Sequence, residues 1–259
     1  MDSRIYREVW ALLDRLQPPE APLESWEKAP AEWVTDADLA IEASLSPRLE
    51  AILPGSRVVG EESSAGEAPA VRISADPTWL VDPIDGTANF VSGGGPYATM
   101  VALVTGGRAA GAWTVEWRTG DRLGCWPGLG VFVNGSRLER KPDRLSRRGV
   151  LSRRFLPEAA AARLESEISG SFEIVGNSGC AATDYRSLLL GEVDFLLYER
   201  TLPWDHAPGV AMVQSLGGFA IFGDGSPWRP ASEPGLVVSF SHEWARSALA
   251  ARAAALADC

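Results

Sequence analysis

The chain is predicted to be an α+β protein that passes into an α/β half, and three features of its pattern predict this. Apolar residues near the N-terminus recur at helical spacing. Five short apolar runs between 79 and 133 are separated by turns built on glycine and asparagine. Beyond 149, strand-like and helix-like segments alternate. The N-terminal half, 1–138, is therefore expected to hold an antiparallel meander, and the C-terminal half, 139–259, an α/β layer.

Ile5, Val9, Leu12, Leu13 and Leu16 mark a helix over 4–16, ended by Pro18, Pro19 and Pro22. The Pro- and Glu-containing segment 17–32 reads as a loop. A second helix is expected to begin at Thr35 or Asp36, both suited to capping. It carries Asp38 in its first turn, then Leu39, Ile41 and Leu45, before Pro47 interrupts it. A strand at 57–60 follows, and then the polar, Gly/Ala-rich stretch 63–75, which reads as a mobile connection. Strands are expected at 79–81, 97–104, 111–117, 122–126 and 131–133. Their turns are Thr105-Gly106-Gly107, Thr119-Gly120-Asp121 and Asn134-Gly135. The basic stretch 138–148 lacks periodicity and marks the boundary between halves. After it come a strand at 149–152, a helix at 156–168, a strand at 172–175, a helix at 181–190 and a strand at 195–198. A helix from about Asp205 to Leu216 is stopped by Gly217-Gly218. A strand at 235–240 and an Ala-rich helix at 243–256 close the chain.

With 259 residues, 46% of them hydrophobic and 22% charged, the chain has the composition of a globular protein with a substantial core. Its net charge of −10 disfavours nucleic acid and anionic membrane as partners. An anionic substrate would also be repelled at long range unless bound cations inverted the local field. Cys125, Cys180 and Cys259 are widely separated and odd in number, and read as free thiols in a reducing compartment. Residues 1–4 lack a secretory apolar region, and no run approaches the roughly 20 apolar residues of a membrane span. The expected compartment is the cytoplasm.

The chemistry concentrates in 79–90. The apolar run Trp79-Leu80-Val81 leads into Asp82 and Asp85, with Pro83 stiffening the link and Gly86-Thr87 following. Carboxylates at a strand end supply hard oxygen ligands for Mg²⁺. Gly86 admits a ligand close to the backbone, and free N–H groups at a following helix start suit a phosphate oxygen. Alone, two acids three apart are more often a solvated loop. Two further segments change that balance. Val58-Val59-Gly60 delivers Glu61 and Glu62, and Leu202-Pro203-Trp204 delivers Asp205 ahead of small residues. Four carboxylates gathered from distant points would repel unless cations bound among them. Asp205 also suits a helix cap, and Trp204 suits core packing. His206 reads as a local partner rather than a general acid.

In this order, Gly60-Glu61-Glu62, Asp82-Pro83-Ile84-Asp85-Gly86-Thr87 and Trp204-Asp205-His206-Ala207-Pro208-Gly209 resemble the G-E-E, D-P-I-D-G-T and W-D-x-A-x-G segments of the inositol monophosphatase superfamily. Thr35-Asp36-Ala37-Asp38 with Glu42 resembles that family's early helix start. The similarity runs from about 34 to about 218. It implies a layered α-β-α-β-α sandwich of the sugar-phosphatase kind, with its site between the two halves. It also implies two or three Mg²⁺ ions, a small phosphorylated metabolite as substrate, a homodimer and sensitivity to Li⁺. By the same resemblance Glu61, Asp82 and the Ile84 carbonyl ligate one metal, and Asp82, Asp85 and Asp205 a second. Two such metals clamp the attacking and leaving oxygens of an in-line phosphoryl transfer to water. Thr87 would orient that water, Glu61 or Glu62 would accept its proton, and Asp38 would complete the relay to Thr87. Substrate contacts fall to Asp85, Gly86, Thr87, Gly179, Ala181 and Tyr198.

Two departures touch leaving-group recognition. Tyr198 stands where inositol phosphatases of the family place a substrate-binding glutamate, and the Gly-rich segment 90–96 is one residue longer than usual. Inositol monophosphate is therefore not the expected preferred substrate. Histidinol phosphate, fructose bisphosphate and a 3′-phosphonucleotide stay open. So does a catalytically idle binding or regulatory homologue, although the retained acids argue against it.

Overall fold

In the computed structural model of the chain, the residues described are 2–17, 24–29, 32–64, 73, 76–139, 145–232 and 237–240. The expected helix at 243–256, His242, Cys259 and most of the 63–75 connection lie outside them.

Helix α1 (Ser3–Leu13) is capped by Asp2, whose side chain accepts from the Arg4 N–H at 2.8 Å, and it buries Ile5, Tyr6, Val9, Leu12 and Leu13. Where a loop was expected, β1 (Ser25–Ala29) and β2 (Glu32–Thr35) form an antiparallel hairpin in which Trp26 faces Val34 and Glu27 faces Trp33. Its first strand is mostly exposed, so no alternation of apolar residues announced it. Helix α2 (Asp36–Ile52) starts with a capping box: Thr35 accepts from the Asp38 N–H, and Asp38 accepts from the Thr35 N–H at 2.8 Å. It continues through Pro47, which was expected to stop it. The fully buried Leu45 and Leu49 on either side anchor the helix against the loss of one backbone hydrogen bond.

Seven strands make the first sheet, in spatial and sequential order: β3 (Arg57–Gly60), β4 (Thr78–Asp85), β5 (Ala98–Thr105), β6 (Arg108–Glu116), β7 (Arg122–Trp126), β8 (Gly130–Val133) and β9 (Ser136–Leu138). Only β3 and β4 are parallel; β4 to β8 form the expected meander, and β9, a strand that was not expected, extends it by one. Asn134 and Gly135, both at positive φ, close the two-residue turn between β8 and β9. The second sheet has the order β11-β10-β12-β14-β13, built from β10 (Arg148–Leu151), β11 (Glu173–Gly176), β12 (Phe195–Tyr198), β13 (Phe219–Phe222) and β14 (Val237–Phe240). Strand β13 was not expected. Its four residues, Phe-Ala-Ile-Phe, show no polar alternation. The remaining helices are α3 (Thr87–Ser92), α4 (Glu158–Ser169), α5 (Ala181–Leu190) and α6 (Pro203–Ser215).

Period-two alternation sorts each strand between layers. From β4, β5 and β6, Trp79, Val81, Val101, Leu103, Trp113 and Val115 pack with α1 and α2. From the opposite face, Val59, Leu80, Ala102 and Val104 pack with α5 and α6, which also cover Val150 and Leu196 of the second sheet. Leu151, Phe195, Leu197 and Ile221 face outward onto α4. The result is an α-β-α-β-α sandwich. Helix α6 begins at Pro203, whose fixed φ suits the first helical position, so Asp205 lies inside the first turn instead of capping it. Among the described residues no helix is long and apolar enough to cross a membrane.

The middle layer sets one test of the fold. A Cβ on Gly209 of α6 would lie 2.1 Å from the Tyr185 ring of α5. Gly209→Ala should therefore lose about 1–3 kcal/mol through overpacking. It should show as a lower urea midpoint with an unchanged slope. An unchanged midpoint would mean that the two helices are not in this contact.

Candidate active site

Parallel pairing of β3 with β4 puts both C-terminal strand ends at one edge of the sheet. Gly60 faces Val81, and the Glu61 N–H donates to the Val81 carbonyl at 3.0 Å, so Glu61 arrives beside Asp82. The register of β4 against β5 is irregular between Asp82 and Asp85, which re-aims the two carboxylates. Asp205 comes from the first turn of α6. Carboxylate oxygens of Glu61, Asp82 and Asp205 all lie within 4.8 Å of one another.

Supporting contacts fix this edge. Glu42 of α2 accepts from the Glu62 and Ser63 N–H groups, each at 2.9 Å, and so holds the turn that carries Glu61. Gly60 is required there, because a Cβ would lie 2.1 Å from the Glu42 carboxyl carbon. Gly86 has φ +85°, and a Cβ on it would lie 2.8 Å from the Pro96 carbonyl. Asn89 donates to the carbonyls of Pro96 and Ser178, at 2.8 and 3.0 Å, tying α3 to the loop that leads into α5. Sequence reasoning gave Glu42 and Asn89 no role, although both stand in or beside the quoted motifs.

Asp85 is not part of the three-acid cluster. It is turned to the start of α5, accepting from the Ala181 N–H at 3.1 Å, the Ala182 N–H at 2.7 Å and the Cys180 thiol at 3.1 Å. Gly179 lines the cleft, while Ala181 lies behind Asp85 as its donor. The Thr87 hydroxyl donates to the Ile84 carbonyl at 2.8 Å. Asp38, expected to reach Thr87, instead accepts from the Thr35 N–H and hydroxyl through Oδ2, and its Oδ1 is buried without a partner. Tyr198, expected to contact substrate, donates its hydroxyl to Asp184 and packs its ring 4.8 Å from that of His206. It is not among the cleft-lining residues. His206 is buried beside the Tyr185 hydroxyl, and burial lowers its pKa to about 3. It is neutral and plays the local part expected of it.

Burial is the first cause that pushes the site carboxyls upward, and their mutual repulsion adds to it. Asp82 and Asp205 are both raised well above 3.8, next by the negative charge of Glu61. Burial raises Asp85 to about 6 against the pull of its three donors, and Asp38 to about 7 against its bonds to Thr35. Lys28, carried in by the β1–β2 hairpin, meets Glu61 at 2.6 Å and Glu62 at 2.8 Å. Burial alone would lower its pKa, but the two glutamates more than offset this, so it stays charged. At the rim, Glu32 of the same hairpin pairs with Arg200, and Trp33, Arg154 and Phe155 complete the wall. The hairpin residues were missed because the segment read as a loop.

The donor set fits divalent cations. It is all oxygen, it is gathered from three separate elements, and Asp82 Oδ1 is buried without a hydrogen-bond partner.

Comparison with known proteins gives the same direction. The inositol monophosphatase family matches residues 6–257. The chain is 30% identical over 214 residues to an inositol-1-monophosphatase of Caulobacter vibrioides, covering 76% of this chain and 78% of that one. It is 28% identical over 210 residues to the Nus factor SuhB of Escherichia coli, covering 77% and 75%. Among solved structures, inositol monophosphatase II of Staphylococcus aureus superposes with a TM-score of 0.71 at 22% identity, over 82% of this chain and 79% of that one. The IMPase of Thermotoga maritima gives 0.74 at 19% identity, over 98% and 94%. With its acids converging as described, the chain belongs to the inositol monophosphatase family, a family of metal-dependent phosphatases, and is a phosphoric monoester hydrolase.

Proposed function

We propose that the chain hydrolyses a small phosphate monoester with two or three Mg²⁺ ions, held by Glu61, Asp82 and Asp205 and completed by the Ile84 carbonyl and Asp85. The observation that carries this is the unpartnered, buried Asp82 Oδ1 beside two further carboxylates. Bound there, the cations would supply a water of lowered pKa and neutralise charge on the transferring phosphoryl group. The chain's own groups do the rest. Glu42 fixes the Glu61 turn, and Asn89 fixes the loop opposite Gly86. Glu61 or Glu62 accepts the proton of the attacking water. Burial and the charge of Glu61 raise the pKa of Glu62, against the pull of its Lys28 pairing, and a raised pKa favours it as a base. Thr87 is held toward the Ile84 carbonyl, ready to orient the water. Two buried free cysteines, Cys125 and Cys180, support a cytoplasmic setting.

Structures of the neighbour SaIMPase-II contain inositol monophosphate in one case and 2′AMP in another, which supports a small phosphorylated substrate. Inositol is not the preferred alcohol half here. Tyr198 replaces the expected carboxylate and is committed to Asp184, so no acceptor at that position meets ring hydroxyls. In a panel of esters, kcat/KM for inositol 1-phosphate should rank below at least one of histidinol phosphate, fructose bisphosphate and a 3′-phosphonucleotide. A clear first place for inositol 1-phosphate would defeat that assignment.

Asp82→Asn should lower phosphate release in Mg²⁺ by at least about 100-fold, since even the partners of metal ligands cost about 10–100-fold. The same variant should melt no lower than the parent in chelator, because one buried repelling charge is gone. Normal turnover would refute the site.

A second outcome concerns pH. Asp38, Asp82, Asp85 and Asp205 all titrate above their ordinary 3.8 in the folded state. Their contribution to stability is complete below 3.8 and is lost as pH rises, through about 6 for Asp85 and about 7 for Asp38. Chelated protein should thus melt lower at pH 8 than at pH 5, and Mg²⁺ should recover most of the loss at the higher pH. A melting temperature that ignores Mg²⁺ at pH 8 would count against cation binding here.

A further inference from the structure

We infer that the preferred ester carries a second, strongly anionic group on its alcohol half, received by Arg154 and Arg200 at the mouth of the cleft. This rests on the phosphatase reading and names the substrate class within it.

The cleft carries both signs of charge. Glu61, Asp82, Asp85 and Asp205 line it together with Arg154, Phe155 and Arg200, and Arg200 lies near enough to Asp205 and Glu61 to feel their charge. The cationic residues are built around one ring. The Arg154 guanidinium carbon stands 5.1 Å from the Phe155 centroid and that of Arg200 4.7 Å. A cation–π contact engages the flat face of a guanidinium and leaves its N–H edge available for a bidentate oxyanion. Phe155 itself is 39% exposed, so its ring stands at the surface between the two guanidiniums.

Arg200 has a partner in Glu32, and neighbouring Arg153 pairs with Glu158 and Glu165. Arg154 makes no salt bridge among the described residues, and its charge acts on Glu32, which already pairs with Arg200. Once cations neutralise the acids and Lys28 serves Glu61 and Glu62, two guanidiniums remain at the rim against the one carboxylate of Glu32. A neutral polyol would leave that excess unused. A phosphate or carboxylate on the alcohol half would take up Arg154 and compete with Glu32 for Arg200. With both guanidiniums already braced by Phe155, little side-chain freedom is lost on binding. On a chain of net charge −10, such a local excess of arginine is also what would let a multiply charged anion approach.

The test compares fructose 1-phosphate with fructose 1,6-bisphosphate, phosphate release being followed in Mg²⁺ with the parent protein and with Arg154→Gln. The parent should favour the bisphosphate in kcat/KM by about tenfold or more, and Arg154→Gln should erase most of that ratio through KM, as expected for a lost charge-assisted contact. Equilibrium binding of fructose 6-phosphate, which keeps only the second anion, should weaken about fivefold or more in the same variant. A parent ratio near one, or a ratio and a fructose 6-phosphate affinity that Arg154→Gln leaves unchanged, overturns the inference. Failure of both esters to release phosphate in Mg²⁺ would instead refute the phosphatase reading, and the rim would then be judged on fructose 6-phosphate binding alone.

Discussion

Mutual repulsion among buried carboxylates is the constraint to which the surrounding structure answers. Glu61, Asp82 and Asp205 converge within 4.8 Å, and Asp85 and Asp38 stand close enough to add to the field. No apolar packing compensates such a cluster. Each neighbouring feature reduces the cost. Lys28 reaches in from the hairpin, backbone donors at the start of α5 hold Asp85, and Glu42 clamps the turn behind Glu61. What these leave unsatisfied, above all Asp82 Oδ1, is what a divalent cation would complete.

The sandwich exists in the form that brings those acids together. A parallel β3–β4 pair delivers two strand ends to one edge, and the middle helical layer delivers Asp205 from the other half. The close fit of Gly209 on Tyr185 sets how deeply α6 sits, and hence where its first turn points. Tyr185 in turn contacts His206 and Ser239, so the helix that carries Asp205 is braced by the second sheet as well. Packing and chemistry are therefore the same problem in this layer.

On the proposed reading, selectivity would rest with the parts of the cleft away from the acids. Those are lined by residues from the β1–β2 hairpin, the segment after β10 and the segment after β12. Tyr198 withdraws to Asp184, and arginine and phenylalanine take the exposed positions. On that reading, a different leaving group would require no change in the acids.

The amino-acid sequence by itself determined most of the strands and helices and the acids. Alternation in 79–133 is a local signal, and three motifs with fixed internal spacing place Glu61, Asp82 and Asp205 at element ends. It did not show the hairpin at 25–35, whose exposed first strand has no period to detect, or α2 running through Pro47, where burial of Leu45 and Leu49 outweighs a local rule. Nor did it show that Asp85 faces α5, or that Lys28 and Glu32 reach the cleft. Those are contacts between segments distant in the chain. They depend on which face each element buries and on how the two sheets stack, and no spacing within a segment encodes that.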